Sequence, residues 1–162
     1  MGAPVRAAQY LAGRWLLRRM CALACDVAIE SIGLNAEGAP LASGPLGVEL
    51  PRLSLTHSGD WLAVAANFGP IGVDLERWGS RRDWPGLALH LDMVGNAGET
   101  AVLKTWTLQE ALFKAGNHAG EVLAVRRFET PDYLACLVAP PGPEPLCYYF
   151  CGAGPVSWHE EI

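Results

Sequence analysis

Between Pro51 and Glu76 three strand candidates follow one another with only a few residues between them, and this spacing limits the fold more than any other feature of the chain. Parallel neighbours need a crossover of a dozen or more residues, whereas antiparallel neighbours need only a tight turn, so the run points to small antiparallel sheets. Pro51 to His57 alternates apolar and polar positions, Trp61 to Asn67 is a continuous apolar run, and Ile71 to Glu76 follows Gly69-Pro70, which supplies a hairpin turn.

Helical periodicity flanks this block. Val5 to Asp26 reads as a helix with Pro4 just before it; Tyr10, Leu11, Trp15, Leu17, Met20 and Leu23 form a broad apolar face, opposite Arg14, Arg18 and Arg19. Residues 35–51 are rich in Gly and Pro and read as turns. A short helix is expected around Pro85 to Met93. A longer one is expected over Glu99 to Ala115, with Leu103, Trp106, Leu108, Leu112 and Phe113 inward and Gly116-Asn117 as its stop. Val122 to Phe128, Tyr133 to Val138 and Leu146 to Phe150 close the chain as strands, divided by Pro140-Pro141-Gly142-Pro143. The order helix, three strands, helix, three strands predicts an α+β fold. Two pseudo-symmetric halves, about 1–76 and 77–162, would each place a helix on a three-stranded antiparallel sheet within one domain spanning 1–162.

Composition removes several function classes. With 12 Lys and Arg against 17 Asp and Glu, the net charge of −5 argues against nucleic-acid binding, which needs a basic face. The apolar stretch from Trp15 is broken by Arg18 and Arg19, short of the ~20 residues a membrane crossing requires. The start of the chain lacks a myristoylation pattern and an intact signal-peptide core, so the expectation is a soluble, cytoplasmic monomer. Five cysteines, Cys21, Cys25, Cys136, Cys147 and Cys151, fit a reducing compartment. Their two CxxxC pairs read as buried structural thiols rather than a zinc site.

Chemistry concentrates in three segments. In Gly72-Val-Asp-Leu-Glu76, Asp74 and Glu76 are two apart on a strand, so both carboxylates leave one face and repel unless something cationic sits between them. In Trp106 to Lys114, Glu110 and Lys114 are one helical turn apart, and if that helix packs beside the strand Glu110 becomes a third carboxylate. Three oxygen ligands with room for water suit Mg2+ holding a substrate's phosphates. The third segment, Thr56-His-Ser-Gly59, adds an imidazole near a turn. Taken singly, each has a plainer reading as a solvated strand face, a surface ion pair or a structural histidine. Their joint order and spacing is the signal.

That ordered pattern resembles the 4′-phosphopantetheinyl transferases of the monomeric, surfactin-synthetase-activating type, over about Ala7 to Val138. Ala12-Gly-Arg-Trp-Leu-Leu-Arg18 is similar to the first helix of that family, Thr56 to Gly59 to its serine-histidine-serine-glycine turn, Gly72 to Glu76 to its metal strand, and Trp106 to Lys114 to its tryptophan-x-x-lysine-glutamate-alanine-x-x-lysine helix. The resemblance implies Mg2+-dependent transfer of phosphopantetheine from coenzyme A to a serine of an apo acyl or peptidyl carrier protein. It also implies that Asp74, Glu76 and Glu110 bind Mg2+, with Glu110 a base for the carrier serine. Lys114 would steady the leaving phosphate or the pantetheine arm, Thr56 and His57 would contact the donor's 3′-phosphate, and Arg14 joins the donor contacts.

Departures from the family pattern all remove positive charge. Gln9 stands where the family usually has Arg, Gly38-Ala39-Pro40 replaces glycine-lysine-proline, Gln109 replaces the Lys before Glu110, and the family's N-terminal strand is missing. The combination predicts a transferase that grips its donor differently, or a non-catalytic or weakly active homologue that binds a carrier or synthase protein. Two arginine clusters, Arg77, Arg81 and Arg82 and Arg14, Arg18 and Arg19, are candidates for the surface that meets an acidic carrier.

Overall fold

The computed structural model describes residues 3–93, 95, 98–116, 122–142 and 146–151, with 3–5 and 146–151 as backbone alone; Asn117 and Pro143 of the expected boundaries fall outside these. Along the chain run α1 (Ala3–Cys25), a 3-10 turn (Ile29–Ser31), β1 (Gly33–Leu34), β2 (Ala42–Ser43), β3 (Arg52–Ser58) and β4 (Trp61–Asn67). They are followed by β5 (Gly72–Arg77), α2 (Trp84–His90), α3 (Glu99–Lys114), β6 (Ala124–Glu129), β7 (Tyr133–Ala139) and β8 (Leu146–Cys151). The fold is α+β with small antiparallel sheets: β1 pairs with β2, β3-β4-β8 form one three-stranded sheet, and β5-β7-β6 form another. No helix among the described residues is long and apolar enough to cross a membrane.

Three apolar layers stack through the molecule. Leu16, Leu17, Met20 and Cys21 of α1 pack on Leu62 and Val64 of β4. The opposite face of β4, Ala63 and Ala65, meets Val73 and Leu75 of β5 and Leu137 of β7. On the far side of that second sheet, Ala111 and Ala115 pack on Cys136 and Val138. Strand alternation thus gives β4, β5 and β7 two buried faces each, which their near-continuous burial reflects.

The structure corrects four expectations. Gly69-Pro70 is not a hairpin turn: β4 and β5 belong to different sheets, and the segment carries the chain from one to the other. Local turn chemistry says that the chain bends, not which edge the next strand will pair with. The segment read as turns holds β2, whose Leu34↔Ala42 and Gly33↔Ser43 pairs make a small hairpin with β1. Helix α1 begins at Ala3, so Pro4 lies in its first turn, where its missing N–H costs nothing. The inward faces of both helices are also narrower than expected. Tyr10, Leu11, Trp15 and Leu23 stay exposed, because α1 meets its sheet along Leu16, Leu17, Met20 and Cys21. On α3 Phe113 is 77% exposed, while Thr107 is wholly buried, with its hydroxyl donating to Leu103 O at 2.7 Å. A threonine that bonds its own helix backbone can be buried without an outside partner.

One close approach locks α3 to the second sheet. A Cβ at Gly72 would stand 1.8 Å from Ala111 O and 2.7 Å from Ala115 N, so the C-terminal turn of α3 rests directly on the β5 backbone. Gly72→Ala must push α3 away and is expected to destabilise the fold by about 1–3 kcal/mol or more, read from the midpoint of urea unfolding. Burial also pushes the Cys21 and Cys136 thiols up to about 11. At pH 8 both should resist iodoacetamide in the folded protein and be labelled only on unfolding, which peptide mapping by mass spectrometry resolves.

Candidate functional site

Strand β3 organises the site because its two faces do different work. Leu53 and Leu55 pack toward α1, and His57 is exposed on that side; Ser54, Thr56 and Ser58 alternate onto the other face and meet β5. Ser54 Oγ accepts the Val73 N–H at 3.0 Å, and Ser58 Oγ accepts the Arg77 N–H at 3.1 Å. Because β5 pairs with β7 on its other side, these hydroxyls supply acceptors along what would be an open sheet edge.

The same row of hydroxyls reaches the carboxylates. Thr56 Oγ1 donates to Asp74 Oδ1 at 2.9 Å, and Ser58 Oγ donates to Glu76 Oε2 at 2.8 Å. From α3, Lys114 Nζ donates to Asp74 Oδ1 at 2.7 Å and to Val73 O at 3.3 Å, while Trp106 Nε1 donates to Glu76 Oε1 at 3.2 Å. The loop after β5 contributes the Arg82 guanidinium, which pairs with Glu76 Oε2. The cation that two acids on one strand face require is therefore supplied twice by the protein itself, by Lys114 for Asp74 and by Arg82 for Glu76.

The two acids are not equivalent. Glu76 has partners on both oxygens. Asp74 is only 4% exposed, and its Oδ2 has no hydrogen-bond partner. Burial pushes the Asp74 carboxyl above the ordinary aspartate range, with Glu76 adding to the rise and Lys114 and Thr56 opposing it. Glu110 is half-buried, one turn from both Trp106 and Lys114 on α3, which puts it on the stripe that faces β5. Among the described residues, however, no three His, Cys, Asp or Glu side chains come together as a metal-holding group. The ion pair made by Lys114 is with Asp74, not with Glu110.

On the α1 side lies a cleft of about 470 Å³, lined by Arg6, Gln9, Arg14, Gly38, Pro40 and His57 among others. Segments that are far apart in sequence and were each associated with the donor thus line one cavity. Thr56 does not join them: neighbouring residues of a strand point to opposite faces, so Thr56 turns to Asp74 while His57 turns to the cleft. Gln9 and Arg14 are partly engaged, Gln9 Nε2 with Gly59 O at 2.6 Å and Arg14 Nη2 with Leu34 O at 2.9 Å.

Sequence reasoning missed the roles of Ser58, Trp106 and Arg82. Ser58 carried a readable signal, its period-two spacing with Ser54 and Thr56. Arg82 carried none, because its contact depends on the path of the loop between β5 and α2. No family model matches the chain, and no curated protein matches it significantly.

The seam orders the effects of its hydroxyls. Ser54→Ala leaves a buried Val73 N–H without an acceptor and should cost about 1–3 kcal/mol. Thr56→Val, which takes a donor from a buried carboxylate, should cost a similar amount. Chemical unfolding of the variants checks both; midpoints equal to wild type would mean that the seam does not hold the sheets together.

Proposed function

We propose that the protein is a Mg2+-dependent 4′-phosphopantetheinyl transferase acting on coenzyme A and an apo acyl or peptidyl carrier protein. The observation that carries this reading is the placement of β3, which turns His57 toward the cleft lined by Gln9, Arg14 and Pro40 and turns Thr56 and Ser58 onto the carboxylates of β5. The three ordered motifs of the sequence thus lie on β3, β5 and α3, with β5 in contact with both of the others.

The donor set suits a hard cation in one specific respect. Asp74 Oδ2 is a buried acceptor without a partner, and an oxygen-seeking ion beside it would complete its coordination. Asp74 and Glu76 would hold Mg2+, with Glu110 drawn in from α3 on binding because the three acids do not come together in this structure; the bound ion would offset the charge of the donor's pyrophosphate. In the transfer, the carrier serine oxygen forms a bond to the phosphorus that bears pantetheine. The bond from that phosphorus to the oxygen bridging the two phosphates breaks, and adenosine 3′,5′-bisphosphate leaves. Glu110, half-buried on α3 one turn from Lys114, takes the serine proton. Lys114, bonded to Asp74 and to Val73 O, keeps one N–H donor for the leaving phosphate. His57 and Arg14 bind the donor from the cleft, the His57 ring offering a contact to the 3′-phosphate.

One observation favours a second reading, a non-catalytic homologue that binds a carrier or synthase protein. Lys114 and Arg82 already neutralise the β5 carboxylates, so the cluster is satisfied in large part without a metal. Incubation with Mg2+, coenzyme A and several apo carrier proteins separates the two: intact mass should show a phosphopantetheine adduct, and carrier binding with no adduct on any carrier would establish the second reading. Asp74→Ala and Glu110→Ala should each abolish transfer.

The cleft makes its own prediction. A charged hydrogen bond contributes ~1.5–3 kcal/mol, so His57→Ala should lower transfer roughly ten- to a hundredfold with coenzyme A and little with dephospho-coenzyme A. Steady-state rates of wild type and variant with both donors test it. A strong preference for coenzyme A that survives the substitution would assign the 3′-phosphate to other residues.

A further inference from the structure

Glu76 is held from three directions, and the three partners differ in how firmly each is fixed. Ser58 donates to it from within strand β3 and Trp106 from within helix α3, so both are positioned by packed elements. Arg82 comes from the loop between β5 and α2, its side chain is a quarter exposed, and its further anchor is the hydroxyl of Ser80, 2.9 Å from its Nε. The ends of that loop are tied down independently of Arg82. Trp78 Nε1 donates to Thr130 O at 2.8 Å, and Asp83 caps α2 by accepting the Gly86 N–H at 3.1 Å. The Arg82 side chain can therefore leave Glu76 without moving either end of its loop, and Glu76 keeps two partners when it does.

Lys114 has no such freedom. It sits in the last turn of α3, bonded at once to Asp74 and to Val73 O. Beside it, the buried and unpartnered Asp74 Oδ2 marks where positive charge is still lacking. A divalent cation drawn to that oxygen and to Glu76 would meet Arg82 as a like charge in contact with the same carboxylate.

We propose that Arg82 is a displaceable internal counter-ion of Glu76 that sets the divalent-metal affinity of the β5 carboxylates. The inference rests on the metal reading given above and adds a residue to it. Without metal, Arg82 keeps Glu76 from standing as an uncompensated, nearly buried charge. On metal binding Arg82 swings to solvent, so its departure is part of the binding equilibrium and weakens it. Arg82 is a positioning residue, since it acts on Glu76 and not on a substrate.

The test is a Mn2+ titration of the whole protein, followed by the loss of the free-ion paramagnetic signal, on wild type, Arg82→Gln and Arg82→Lys. Removing a unit charge in contact with a ligand of a divalent ion should tighten binding by about tenfold or more, while Arg82→Lys keeps the charge and should stay near wild type. Thermal melts supply the second readout: Arg82→Gln should melt below wild type without metal and gain more than wild type when Mg2+ is added. Unchanged affinity in Arg82→Gln overturns the proposal and leaves the metal reading standing. Weaker affinity also overturns it, and makes Arg82 a residue that holds Glu76 ready for the ion. Absence of Mn2+ binding in all three proteins overturns the proposal together with the metal reading.

Discussion

The arrangement depends on a row of three hydroxyls. Ser54, Thr56 and Ser58 occupy alternate positions of β3, and together they accept two backbone N–H groups of β5 and donate to both of its acids. A hydroxyl is suited to this because it donates and accepts at once, so a single side chain can finish a sheet edge and solvate a carboxylate. Apolar residues in the same places would fill the gap between the sheets, but they would leave N–H groups and ionised oxygens buried without partners. Packing of the two sheets and electrostatics of the acids are therefore one structure, and neither can be altered alone.

Much of this was legible in the sequence where it follows from periodicity, and much less where it follows from topology. The extents of β4 and α3 are close to what alternation and helical spacing imply, and the shared face of Asp74 and Glu76 follows directly from the period of a strand. What periodicity cannot show is which strands become neighbours. Gly69-Pro70 has the chemistry of a hairpin turn, yet it joins two sheets, because β5 finds its backbone partner in β7 and β8 completes the sheet of β3 and β4. Thr56 and His57 are adjacent in one motif and serve opposite faces, a consequence of the same period-two rule applied one residue further. Arg82 was read as a surface residue for a partner because a charged loop side chain gives no sign of folding back.

The ion pairs bear on what the carboxylates are for. Buried pairs regain little more than the cost of removing their charges from water, and packed apolar residues in their place are often as stable or more so. Stability alone would therefore favour apolar residues in place of the whole Asp74, Lys114 and Thr56 group, beside a layer in which Val73 and Leu75 are fully buried. An aspartate that is almost wholly buried, with one oxygen unpartnered and its carboxyl pushed upward by burial, is a cost that the fold has no need to carry. The unpartnered oxygen is in keeping with the proposed metal site.

The arginines of α1 show why counting charges on a helix overstates what a cleft can offer a phosphate. Helix α1 carries Arg6, Arg14, Arg18 and Arg19 and no acidic residue, which in a chain of net charge −5 looks like a concentrated anion site. Two of the four are committed to the backbone of the segment that crosses the helix. Arg14 donates to Leu34 O, and Arg18 donates to Ile32 O at 2.8 Å and Ile29 O at 3.0 Å. These bonds give donors to Leu34 O of β1 and to Ile32 O between the 3-10 turn and β1, and a second donor to Ile29 O, which also accepts the Ile32 N–H at 3.2 Å. Arg19 lies over the Trp15 ring, 5.5 Å from its centroid, on the exposed side of the helix. Of the four, Arg6 and Arg14 line the cleft that also holds His57, and Arg14 does so with one donor already used. With Gln9 in place of a cation and bonded to Gly59 O, a donor entering this cleft would meet two arginines, Arg6 and the partly engaged Arg14, beside the exposed imidazole of His57 on β3.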